Sequence, residues 1–141
     1  MRHGFTLPEL LSVMGIMGIL AAIVVPPLGR FLDQATVRDG VERFASLHAT
    51  TRELAMSRGT LARLELDRAR RTGTVSVQSA APAWDTVATY PLGSADVACS
   101  NCTVIFNPLG LGYGTSNTRV VFSRGSAADT VTTSRTGRLK R

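Results

Sequence analysis

Lysine, cysteine and histidine are almost missing from this chain. Cys99 and Cys102 are the only thiols in 141 residues, too few to staple a domain of this length, so a disulfide-framed scaffold is excluded and stability has to come mainly from packing. Lys140 is the single lysine among 16 Lys+Arg, so arginine carries nearly all of a formal charge of +6 against 10 Asp+Glu. The histidines are His3 and His48, and a lone histidine beside an apolar helical face is more often a packed or rim residue than a catalyst. No nucleophile, base and orienting acid can be nominated together, which argues against an enzyme, and no further ligands complete a zinc site around the cysteines. No internal repeat is visible. Gly110-Leu111-Gly112-Tyr113-Gly114 has GxGxG spacing, is followed by a strand pattern rather than a helix start, and so fails as a nucleotide-binding loop. No cofactor or metal is expected, and the length admits one ordinary domain but not a multidomain enzyme.

What the chain has instead is a greasy front. From Leu10 to Leu28 nineteen residues carry no charge, with Glu9 before them and Arg30 just after. At ~1.5 Å per residue the run spans about 28 Å, enough to cross a bilayer core once. A cleaved secretory signal fits poorly, because the run is long, Ala21-Ala22-Ile23 is a weak cleavage site, and Pro26-Pro27 sits near its far end. A plain single-pass anchor accounts for the length and leaves Glu9 unexplained. Pro26 and Pro27 each lack an amide donor and crowd the preceding turn, so a bend or local unwinding is expected there.

Glu9 admits two readings. Thr6-Leu7-Pro8-Glu9 has the form of a capping box, with proline tolerated in the first turn and the carboxylate set against the positive end of the helix dipole. A carboxylate at the edge of an apolar span also demands a cation, since leaving it unpaired in lipid is costly. Cleavage after Gly4 would supply one, the amine of Phe5, which Glu9 of a neighbouring copy could neutralise.

Past Arg30 the pattern becomes amphipathic. Val37, Val41, Phe44, Leu47 or His48, Thr51, and Leu54 with Ala55 recur at three- and four-residue steps, opposite Arg38, Asp39, Glu42, Arg43, Arg52 and Glu53, so the helix is expected to continue to about Met56 and to stop near Gly59. Unbroken from Leu7, it would be roughly 75 Å long. From Thr60 the grammar is that of strands: Leu61 to Leu66 alternates and forms a hairpin with Thr74 to Gln78, and short runs follow at Thr86 to Tyr90, Thr103 to Asn107, Thr118 to Ser123 and Thr130 to Thr133. The expected fold class is α+β, a long helix packed on a small antiparallel sheet. Gly110 to Ser116 reads as a flexible loop by composition.

Two features of this domain carry chemistry. Cys99-Ser100-Asn101-Cys102 is a CxxC pair; outside the cytoplasm it reads as a structural disulfide holding a tight turn, while a redox site is the sharper alternative, lacking the helix-start setting of such motifs. The last 27 residues hold Arg119, Arg124, Arg135, Arg138, Lys140 and Arg141 against Asp129 alone. If Thr136 to Lys140 is extended, Arg138 and Lys140 project to one side and Leu139 to the other. Such an edge would neutralise phosphates without reading bases; the alternative is a solvated, solubilising tail.

The stretch Gly4-Phe5-Thr6-Leu7-Pro8-Glu9-Leu10-Leu11 resembles the prepilin processing and methylation site of type IV pilins and type II secretion pseudopilins. The run Val104-Ile105-Phe106-Asn107-Pro108-Leu109-Gly110, the Arg119 to Phe122 strand and the closing Gly137-Arg138-Leu139-Lys140-Arg141 resemble the GspH/FimT branch of minor pilins and pseudopilins. The resemblance implies cleavage after Gly4, methylation of Phe5, and Glu9 as acceptor of an adjacent subunit's amine during assembly; Pro26 falls where pilins commonly carry a helix-bending proline. It divides the chain into a leader (1–4), a membrane-spanning and filament-core helix (5–29), an amphipathic helix (30–58) and a periplasmic β-rich domain with a basic tail (59–141). The implied partners are other pilin or pseudopilin subunits, prepilin peptidase, the inner-membrane assembly platform with its ATPase, and the membrane before assembly. In FimT-like proteins a G-R-x-R-like ending is implicated in DNA capture, which makes Arg135, Arg138, Lys140 and Arg141 candidate DNA contacts. Lys140 stands where the second arginine would be, keeping the charge but losing a bidentate fork.

Overall fold

A computed structural model describes residues 6–80, 82–114 and 117–141, with the side chains at 24–27 and 80 outside that set. The expectations for Gly4 and Phe5 therefore lie outside the described residues. The chain divides into two compact units, Met1–Leu32 and Asp33–Arg141.

Helix α1 runs over Leu7–Arg58. It stops where Gly59 takes a φ of 62°, a left-handed conformation that glycine enters without the clash a Cβ would bring. The backbone at Pro26 and Pro27 belongs to α1, and the bend expected there falls on residues whose side chains are outside the described set. Every described side chain from Leu7 to Leu32 is exposed.

In the second unit the apolar stripe of α1 becomes core. Val37, Val41, Phe44, Leu47, His48, Thr51 and Ala55 are buried, whereas Arg38, Asp39, Glu42, Arg43 and Glu53 stay exposed. This is the partition that the three- and four-residue spacing predicts.

Among the described residues eight strands follow, in two antiparallel sheets. The first has β3 (Ala83–Pro91), β2 (Thr72–Ala80), β1 (Ala62–Asp67) and β5 (Thr103–Phe106) in that order; the second has β4 (Asp96–Cys99), β6 (Thr118–Arg124), β7 (Ala127–Thr133) and β8 (Leu139–Lys140). Alternation selects the inward face of each. Ala62, Leu64 and Leu66 of β1 are buried and pair in register with Val77, Val75 and Gly73 of β2, while Thr118, Val120 and Phe122 are the buried positions of β6. Phe44 of α1 meets Phe122 with ring centroids 6.1 Å apart. Gly40 permits that approach, since a Cβ there would stand 2.8 Å from the Phe122 ring.

The fold class is the one expected, but the strands form two sheets rather than one small one. β4 escaped the pattern because Asp96–Cys99 offers a single buried apolar position, Val97, and so no period, while β8 falls inside the Thr136 to Lys140 stretch considered as extended.

Candidate functional site

At the start of α1, Thr6 O accepts from Glu9 N at 3.1 Å and from Leu10 N at 3.2 Å. Glu9 Oε2 reaches back to Thr6 N at 3.4 Å and to Thr6 Oγ1 at 3.5 Å. The reciprocal half of a capping box is therefore formed, but both side-chain bonds exceed the ~2.7–3.2 Å of a well-made N–H···O bond. Glu9 is loosely held, exposed, and first in line on a helix long and apolar enough to cross a membrane.

The C-terminal segment is ordered by strand pairing. Thr132 and Thr133 of β7 pair with Lys140 and Leu139 of β8, and Leu139 packs against the core while Arg138 and Lys140 are exposed. A turn precedes them: Gly137 N donates to Ser134 O at 2.9 Å, and Arg138 N to Ser134 Oγ at 3.2 Å. Arg141 is exposed too but paired, its Nε donating to Asp129 Oδ2 at 2.7 Å. Arg135, Arg138 and Lys140 make no side-chain ion pair among the described residues.

Beside that turn, the loop expected to be flexible is instead tied down over its described part. Asn107 Oδ1 accepts from Leu109 N at 3.0 Å and Leu111 N at 2.9 Å, Gly112 N donates to Arg135 O at 2.9 Å, and Arg52 Nε of α1 donates to Gly110 O at 2.9 Å. Composition suggested mobility; an asparagine closing turns onto its own backbone overrides it.

Comparison with known proteins bears on both ends of the chain. Residues 1–25 match the family model described as the prokaryotic N-terminal methylation motif. In structure the chain is similar to the type IV minor pilin FimU of Pseudomonas aeruginosa, with a TM-score of 0.61 at 10% identity over 74% of this chain and 86% of that one. It is also similar to the minor pseudopilin EpsH from the type 2 secretion system of Vibrio cholerae, with a TM-score of 0.60 at 13% identity over 74% and 94%. The fold is pilin-like, and it follows an N-terminal methylation motif.

Within this fold Cys99 and Cys102 are joined by a disulfide, Cα to Cα 5.3 Å. Cys99 ends β4 in one sheet and Cys102 immediately precedes β5 in the other, so the bridge closes the turn at which the chain changes sheets. Both cysteines pack against the core, and Cys102 O accepts from Leu66 N at 2.8 Å. His48 is a core residue, 3% exposed, edge-on to Phe106 with centroids 4.8 Å apart. Burial, with the nearby Arg52 guanidinium second, lowers its pKa from 6.5 to about 4, so the ring is neutral at ordinary pH. Among the described residues no three His, Cys, Asp or Glu side chains gather to hold a metal.

Sequence reasoning missed Asn107, Arg52 and Asp129. Asn107-Pro108-Leu109-Gly110 carries turn chemistry that could have flagged the first. Nothing local marks Arg52 or Asp129, whose partners lie 58 and 12 residues away.

Proposed function

We propose that this chain is a minor pilin or pseudopilin, a subunit of a type IV pilus or a type II secretion pseudopilus. The observation that carries the reading is one helix that opens in a methylation motif and exposes every described apolar side chain from Leu7 to Leu32. Such a surface has to be covered, by lipid before assembly and by apolar helices of other subunits afterwards, so the same residues serve as anchor and as filament core. The similarity to a minor pilin and a minor pseudopilin supports the same reading.

On this reading residues 1–4 are a leader removed by prepilin peptidase, Phe5 is methylated, residues 5–29 span the inner membrane, and residues 30–58 and 59–141 form the periplasmic part. An inner-membrane platform drives assembly. Glu9, loosely capped by Thr6, exchanges that contact for the amine of an adjacent subunit. Glu9→Ala tests the role: a cap with bonds this long is worth less than ~1 kcal/mol, so the variant should insert and be processed normally yet be missing from the sheared filament fraction. Normal incorporation removes the role of Glu9. Mass spectrometry finding residues 1–4 still attached in the native host removes the whole reading.

One observation favours a second reading, DNA binding: Arg135, Arg138 and Lys140 are exposed together at the C-terminal edge and no acid neutralises them among the described residues. Contacts of this kind bind phosphate with little sequence preference and strong salt dependence. Full-length protein in detergent micelles should then bind duplex DNA, and Arg138→Ala with Lys140→Ala should abolish it; unchanged binding clears the edge of this role.

A further inference from the structure

Neither the anchor, the processing site nor the basic edge uses a cavity of about 300 Å³ in the Asp33–Arg141 unit. Three parts of the chain wall it: Gln34, Val37 and Arg38 from α1, Ala127 and Asp129 from β7, and Arg141 just past β8. Gln34 and Arg38 are one helical turn apart and share a face, while Val37 is buried. Ala127 is too small to fill the space. Asp129 accepts from Arg141 Nε at 2.7 Å, so that guanidinium is held at the cavity wall before any ligand arrives.

The charge around the cavity is not balanced. Asp129 serves Arg141, and Asp33, one residue before Gln34, serves Arg124 at 3.4 Å. Arg38 is exposed and pairs with no acid among the described residues, Glu42 one turn farther on included. Asp129 engages Nε and one terminal nitrogen of Arg141, and a guanidinium with five N–H donors has others left to offer. Two arginines on one small, half-open space, with an amide beside them, suit a phosphate, which accepts several charge-assisted bonds at once. Two guanidiniums against one carboxylate also favour a ligand of net negative charge over a zwitterion, whose ammonium would meet Arg38.

The place of the cavity along the chain selects the phosphate. Gln34 follows Leu28, the last residue of the charge-free run, by six positions. Six residues reach at most about 21 Å when fully extended, so the cavity stays close to the end of the run whatever the angle between the two units. Counted along α1 the separation is only about 9 Å. Phe31 and Leu32 are exposed and apolar as well, which brings the greasy surface nearer still. A bilayer carries about 5–8 Å of headgroups on each side of its hydrocarbon, so Gln34 and Arg38 leave the membrane where lipid phosphates are densest. A site tethered there meets its ligand at high effective concentration, and weak intrinsic affinity suffices to fill it.

We infer that this cavity takes the phosphate of an anionic phospholipid from the leaflet out of which the chain emerges, with Arg38 and Arg141 as its charged donors and Gln34 beside them. The inference rests on the anchor reading and adds to it a lipid contact of the Asp33–Arg141 unit, made while the helix is in the bilayer and given up when the helix leaves it.

The test reconstitutes full-length protein in phosphatidylcholine bilayers with or without phosphatidylglycerol. Ser126→Cys carries a fluorophore, since Ser126 is exposed beside Ala127 and the native cysteines are bonded to each other; a trace of lipid with a quencher on its headgroup reports contact. Quenching should rise severalfold when phosphatidylglycerol is present, and Arg38→Ala with Arg141→Ala should cut that gain roughly fivefold or more at low salt. Arg68→Ala with Arg70→Ala removes the same charge from the exposed turn between β1 and β2 and should leave the gain intact. No gain with phosphatidylglycerol overturns the inference, as does an equal loss in the two double variants, which would mean general attraction of a basic domain. Displacement by sodium phosphate but not by sodium chloride of equal ionic strength means that the cavity takes the free anion, and overturns the lipid assignment. A fluorophore at Met17→Cys, read with a quencher on the acyl chains, separates this inference from the anchor reading. Met17 in the hydrocarbon without the gain at Ser126 means that the lipid contact alone is wrong; Met17 outside the hydrocarbon means that both are.

Discussion

Acidification should weaken the Asp33–Arg141 unit through His48. The ring is packed between Phe44, 6.2 Å away, and Phe106, and its Nε2 has no hydrogen-bond partner among the described residues. Protonation in place would bury a cation near Arg52, which is why the folded pKa falls from 6.5 to about 4. The unfolded chain takes up its proton near 6.5, whereas the folded chain resists until about 4. This contribution to stability is therefore complete above the unfolded value, is lost progressively as the pH falls between the two, and changes no further below the folded one. At ~1.4 kcal/mol per pKa unit the loss is on the order of 3 kcal/mol, a large share of what a small domain has to spare. Denaturation of full-length protein in detergent micelles, followed by the fluorescence of Trp84, the single tryptophan, measures it across pH. His48→Leu removes the titrating group and the unpaired nitrogen and should flatten the slope in that window. Ion pairs elsewhere, such as Asp39–Arg43, are common to wild type and variant, so they cancel in the comparison of the two slopes. Equal slopes in wild type and variant would refute the reasoning.

Other changes probe the site's supports. Gly110→Ala should destabilise the unit by about 1–3 kcal/mol, because φ is +72° and the new Cβ would lie 2.8 Å from Met56 Sδ and 2.9 Å from Arg52 Nε; a lowered denaturation midpoint at unchanged slope is the expected signature. Replacing Cys99 and Cys102 together by serine should cost about 2 kcal/mol from chain entropy for so short a loop, read as the difference between the variant and oxidised wild type, with reduced wild type behaving like the variant. Phe44→Ala should cost about 3–5 kcal/mol, since Phe44 is fully buried against Phe122, and a loss below ~1 kcal/mol would mean that the α1 stripe is not the core it is taken to be.

The readable parts of this protein are those whose cause is local. The charge-free run before Arg30, the Thr6 to Glu9 cap pattern, the stripe from Val37 to Ala55, the stop at Gly59 and the alternation of Ala62, Leu64 and Leu66 each depend on neighbours within a turn or a pleat, and spacing alone exposes them. The same holds for Leu139 turned inward between Arg138 and Lys140.

What only the tertiary structure decided depends on residues far apart in the chain. Whether strands form one sheet or two is set by which edges meet, and the crossing at Cys99–Cys102 between β4 and β5 leaves no periodic trace. Asp129 pairs the exposed Arg141, and Arg52 with Asn107 ties down a glycine-rich loop. The environment of His48 required Phe106 to arrive from β5, 58 residues later. Sequence patterning decides which face of an element is buried; long-range pairing decides what it is buried against, and burial and charge pairing at the site follow from the second.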